Sequence, residues 1–124
     1  MSPHSQIIQL VEQYFLGVYH GDTKLLAELF DPAAQVYGVV NGEPYHKTAA
    51  SYLEGVAGRQ SPAALGEPYR MRLLAIDVLA SIANVRLHSP MLGFDYHLYL
   101  TFAKRADGWK IVNKTFTHPA TEGV

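Results

Sequence analysis

The feature that most constrains this chain is its second half. From Tyr69 to His118 it consists of four long stretches, "YRMRLLAIDVLA", "SIANVRLHS", "GFDYHLYLTFAKR" and "GWKIVNKTFTH". Only turn chemistry separates them, at Ala80-Ser81, Pro90–Gly93 and Ala106–Gly108. Runs rich in Val, Ile, Leu, Tyr and Phe that are bounded in this way read as strands, and turns this short make them antiparallel neighbours. The last stretch carries an oddity. Lys114 and His118 interrupt what would otherwise be a plain buried strand.

The first half has a different period. Ile7, Val11, Tyr14 and Val18 recur at helical spacing, with Ser2 or Ser5 as cap and Gly21 as stop. Asp22 caps a short second helix whose inner face is Leu25, Leu26, Leu29 and Phe30, and "DPAAQ" breaks it. In "QVYGVVNGEPYH", Asn41-Gly42 between apolar or aromatic runs predicts a tight hairpin. Thr48 opens a third helix, "TAASYLEGVAG", closed at Gly58, and residues 58–68 read as a loop. Helices followed by a run of antiparallel strands predict one α+β domain over residues 1–124, with the helices on one face of the sheet.

Composition narrows the function classes. The formal net charge is −1 without a long block of like charge, so there is no electrostatic footprint for nucleic acid or an anionic membrane. The longest apolar stretch is cut by Asp77, and the N-terminus lacks the basic-then-apolar pattern of a signal peptide. A soluble, cytoplasmic protein is the expectation. With no cysteine, thiol catalysis and thiolate metal sites are excluded.

Two stretches carry a resemblance. "YFLGVYHGDTKLLAELFDPAAQVY" resembles the opening of the nuclear-transport-factor-2-like superfamily. "FDYHLYLTFAKRADGWKIVNKTF" is similar to the closing hairpin of its "putative lumazine-binding" branch. The resemblance implies a cystatin-like cone, with three N-terminal helices packed on a strongly curved antiparallel sheet. It also implies a homodimer formed through the outer sheet face.

Alternation sorts the side chains of the last hairpin. Asp95, His97 and Tyr99 share one face, and Val112, Lys114, Phe116 and His118 share another. Folding about Ala106-Asp107 sets Tyr99 opposite Lys114, His97 opposite Phe116 and Asp95 opposite His118. One face would then hold Asp95, His97, Tyr99, Lys114 and His118 together. A carboxylate beside a histidine suits acid–base work near neutral pH, and a lysine near a tyrosine can favour the phenolate. If that face points outward, the same residues form a wetted or dimer-forming surface. Periodicity does not separate the two, and the superfamily resemblance favours the cavity.

Ketosteroid isomerase, of the same superfamily, keeps an oxyanion-binding tyrosine where Tyr14 falls. The position matching its proton-abstracting carboxylate is Gly38, and its second acid falls at or near Tyr99, so steroid isomerisation by that route is not expected. The expected catalytic set is Asp95, His97, His118 and Tyr14. The expected ligand-binding set is Tyr99, Lys114, Phe116, Tyr37, Tyr52 and Phe30. Asp95, His97 and His118 could approach one another, but no His-x-x-x-His spacing occurs, so neither a metal nor another cofactor is expected. The function expected is binding of a small apolar, ring-containing molecule, with cofactor-independent isomerase, dehydratase or cyclase chemistry. The alternative is a non-catalytic homodimeric interaction module.

Overall fold

The computed structural model describes residues 2–119. Helix α1 (Pro3–His20) starts at Ser2, whose hydroxyl accepts the Ser5 N–H at 3.1 Å, and ends at Gly21 with φ of 66°. Helix α2 (Thr23–Leu29) is capped by Asp22, which accepts the Leu25 N–H at 3.0 Å. Phe30 begins strand β1 (Phe30–Val40) rather than extending α2. β1 turns through Asn41 and Gly42, both at positive φ, into β2 (Glu43–Thr48). Thr48 then caps α3 (Ala49–Ala57). Four strands follow: β3 (Arg72–Leu79), β4 (Ile82–Met91), β5 (Phe94–Arg105) and β6 (Gly108–Thr117).

The strands form one curved sheet in the order β2-β1-β6-β5-β4-β3. Every neighbouring pair is antiparallel except β1 and β6, so the sheet is mixed rather than antiparallel throughout. That parallel pair joins the helical half of the chain to the strand half. β4 also runs on through Pro90, and the turn is confined to Leu92-Gly93. Its pairing with β3 stops at His88, so Pro90 sits where β4 has only one neighbour and no ladder bond is lost.

The three helices cover one face. Ile7 and Val11 of α1, Leu26 of α2 and Val56 of α3 meet Leu98, Leu100, Phe102 and Ile111 from the sheet, all buried. Trp109 ties β6 to α1 by donating its indole N–H to Gln6 at 3.0 Å. Among the described residues no helix is long and apolar enough to cross a membrane.

One irregularity decides where the polar groups point. The turn at Ala106-Asp107 pairs Arg105 with Gly108, and that register holds as far as Phe102 with Ile111. Thr101 then pairs with Asn113, leaving Val112 as an extra residue. This is a β-bulge, which places two residues opposite one and shifts everything beyond it. Lys114 therefore lies opposite Leu100 instead of Tyr99, and Phe116 lies opposite Leu98 instead of His97. Leu98 and Leu100 face the helices, so Lys114 and Phe116 turn inward while Asp95, His97 and Tyr99 do not.

Candidate functional site

A cavity of about 200 Å³ lies between the helices and the concave side of the sheet. Its walls are Val18, Val40, Met91, Leu98 and Phe116. Into it come the phenols of Tyr14 from α1, Tyr45 from β2, Tyr52 from α3 and Tyr96 from β5, with Ser89 from β4. Lys114 from β6 and Arg59, just past α3, supply the positive charge. Among the described residues no Asp or Glu lines it.

The centre is a buried pair. Lys114 is 7% exposed, and its Nζ donates to the Tyr52 hydroxyl at 2.8 Å. Nζ also lies 5.6 Å from the Tyr14 ring centroid and 5.5 Å from that of Phe116. Burial pushes the Lys114 amine below its ordinary range, and Arg59 adds to this while Tyr52 opposes it. Burial alone would raise the Tyr52 phenol, but the Lys114 ammonium, its hydrogen bond and Arg59 draw it below the ordinary value. Amine and phenol thus both hold their protons less tightly than in water. Tyr14, which presents its hydroxyl to Tyr52, is held well above the usual phenol range by burial and by that neighbour. It stays a hydrogen-bond donor. A base, a phenol that can pass a proton and a donor suited to a developing oxyanion thus share one apolar enclosure.

Of the expected site residues, Tyr14, Tyr52, Lys114 and Phe116 meet here. Phe30 does not line the cavity; its ring packs behind Tyr52, centroids 5.9 Å apart. The grouping of Asp95, His97 and Tyr99 with Lys114 is corrected by the bulge, since all three lie on the convex face. There Asp95 accepts from His88 Nε2 at 2.6 Å and from His97 Nε2 at 3.3 Å, and the two imidazoles stack at 4.4 Å. His88 is thus the cross-strand partner of His97. The hydrogen bond from His88, then that from His97, holds the Asp95 carboxyl below the usual range.

Possible ligand atoms of His88, Asp95 and His97 lie within 4.8 Å of one another, and His118 is not among them. His118 does not line the cavity; it packs against Phe94 and Tyr96, and its Nε2 accepts the Asn41 N–H at 2.8 Å. That nitrogen cannot also take a proton from a substrate. Tyr37 is on the convex face as well, stacked on His46 at 4.6 Å, and shares an outer groove with His97 and Tyr99.

A model of the family described as "Putative lumazine-binding" matches residues 2–117. The chain belongs to this family. Among proteins with curated descriptions, none matches it. A solved structure from Silicibacter pomeroyi, an NTF2-like protein of unknown function, superposes with a TM-score of 0.85 at 20% identity. That match covers 96% of this chain and all of the other. An NTF2-like protein of unknown function from Shewanella baltica gives 0.82 at 19% identity, covering 94% of each chain. An NTF2-like protein with a cystatin-like fold from Novosphingobium aromaticivorans gives 0.71 at 18%, covering 97% of this chain and 84% of its own. These likenesses show the nuclear-transport-factor-2-like, cystatin-like fold.

In this member of the family, sequence reasoning missed Arg59, Tyr45, Tyr96, Ser89 and Met91. Tyr96 had a signal, because it alternates in phase with Leu98, Leu100 and Phe102. Arg59 had none, since it follows Gly58 in a stretch without periodicity.

Proposed function

We propose that this protein binds a small ring-containing molecule in the cavity and acts on it by proton transfer, without a cofactor. The observation that carries the reading is the 2.8 Å contact between Lys114 Nζ and the Tyr52 hydroxyl in a wall of that cavity. A buried lysine with lowered basicity spends part of its time neutral and can accept a proton from carbon beside a carbonyl. Tyr52 relays that proton, and Tyr14 turns its hydroxyl from Tyr52 to the enolate oxygen. Isomerisation, dehydration and cyclisation all use such a step. The acid–base set is therefore Tyr14, Tyr52 and Lys114 in place of Asp95, His97 and His118.

Two measurements test it. In an alkaline titration followed by tyrosinate absorbance, one phenol should ionise below pH ~10, ahead of the others, because its anion is favoured. Tyr52→Phe should remove that early phase, and Lys114→Met should move it upward by leaving Tyr52 buried without its counter-charge. Deuterium wash-in beside the carbonyl of cyclohexanone, followed by NMR, should then fall roughly 100-fold or more in a Tyr52→Phe/Lys114→Met double variant. Exchange no faster than buffer in the unaltered protein would end the catalytic reading.

The convex face supports a second part of the proposal, a homodimer. Tyr37, Val39 and Tyr99 are exposed side by side around the outer groove. Light scattering at micromolar concentration should give twice the mass of one chain. Tyr99→Arg should return it to one, because a two-fold axis sets like charges against each other. A monomer in the unaltered protein would refute it.

A further inference from the structure

Arg59 lines the cavity and carries a charge that the proton-transfer reading leaves unused, and its position is costly. Its Nη2 is fully buried and has no hydrogen-bond partner among the described residues. It takes part in no ion pair among them. Lys114 beside it can lose its proton and Tyr52 can share one, but a guanidinium cannot be neutralised in a protein. The side chain as a whole is half-buried, but a guanidinium N–H shut off from water without a partner is retained at the expense of stability. Among the described residues, the titratable groups facing the cavity with it are Tyr14, Tyr45, Tyr52, Tyr96 and Lys114, and none of these is a carboxylate.

We propose that Arg59 is the anchor for a carboxylate, and that the ligand of this cavity is a small monoanionic acid built on a single ring. The proposal rests on the reading of the cavity as a ligand site and specifies what enters it. A guanidinium presents two parallel N–H groups that match the two oxygens of a carboxylate. The volume of about 200 Å³ falls below the roughly 300–1,000 Å³ of pockets for drug-sized ligands, which limits the guest to about one ring and a short acid arm. Val18, Met91, Leu98 and Phe116 supply the apolar walls for that ring. With the acid held at Arg59, the rest of the molecule is presented to Tyr52 and Lys114.

Benzoate and its neutral isostere benzamide are the probes, with phenol as a ring probe that carries no acid. Isothermal titration at neutral pH should show benzoate binding about 10- to 100-fold tighter than benzamide, the worth of a charge-assisted pair. Arg59→Met should abolish that preference and leave benzamide and phenol binding within about twofold of the unaltered protein. Arg59→Lys, which keeps the charge but not the fork, should bind benzoate several-fold more weakly. Without ligand, Arg59→Met should melt no lower than the unaltered protein, because removing an unmatched buried N–H removes a cost. A much lower melting temperature would mean that the guanidinium is satisfied within the chain, and would overturn the proposal. Equal affinity for benzoate and benzamide would also overturn it while leaving the cavity a ligand site. If none of the three probes binds at millimolar concentration, both readings fall together.

Discussion

Phe102→Ala should lower the melting temperature by about 10–20 °C, whereas Tyr99→Ala, three residues away on the same strand, should change it by a few degrees at most. Phe102 is wholly buried beneath the helices. Truncating such a side chain removes its transfer free energy and leaves a void, together about 3–5 kcal/mol. That is a large share of the ~5–15 kcal/mol by which domains are stable, and a chain of this length loses roughly 3–5 °C per kcal/mol. Tyr99 is 49% exposed on the convex face, and surface truncations stay within about 0.5 kcal/mol. Melts followed by circular dichroism, run dilute enough to keep both variants monomeric, decide the matter. A larger loss at Tyr99 than at Phe102 would mean that β5 presents its other face to the helices.

The same strand shows why part of the site was legible and part was not. Caps and turns are local chemistry, so Ser2, Asp22, Thr48, Gly21 and the Asn41-Gly42 hairpin could be read from neighbouring residues alone. The phase of β5 was legible as two faces, but choosing between them is a question of burial. Leu98, Leu100 and Phe102 together bury far more apolar surface than Asp95, His97 and Tyr99 would, and that settles it. Lys114 points into the cavity as expected from the superfamily resemblance, yet by a different route. The expected hairpin was right at its turn and as far as Ile111. A bulge at Val112, with no glycine to announce it, then swung Lys114 from the face of Tyr99 to that of Leu100. Asp95 and His97 had no bulge of their own and stayed outside. Arg59 was illegible because its significance lies in what its guanidinium lacks, and absence of a partner is a property of the folded neighbourhood.

The second large effect is expected at Gly38, where sequence comparison had already found a side chain missing. A Cβ built there would stand 2.4 Å from Phe116 Cε1 and 2.6 Å from Cδ1 and Cζ. The ring of Phe116 thus occupies the space that a side chain at Gly38 would fill. Phe116 is hemmed in by Tyr45 at 5.1 Å and by Tyr96 at 5.7 Å, so a displaced ring must move into the cavity. Gly38→Val sets two effects against each other. Replacing glycine in a strand recovers about 0.5–1 kcal/mol of backbone entropy. Overpacking costs about 1–3 kcal/mol. Overpacking should win, with a net loss of about 1–2 kcal/mol. The consequence for binding is greater, because the valine and the displaced ring together consume much of a cavity of about 200 Å³. Phenol and benzoate binding should weaken at least ~100-fold, beyond detection for weak probes. Adding Phe116→Ala to Gly38→Val should recover both stability and binding, giving a coupling of about 1–3 kcal/mol in a double-mutant cycle. Unchanged probe affinity in Gly38→Val would show that Phe116 is not a wall of the binding site, and the site would then have to be sought elsewhere on the cone.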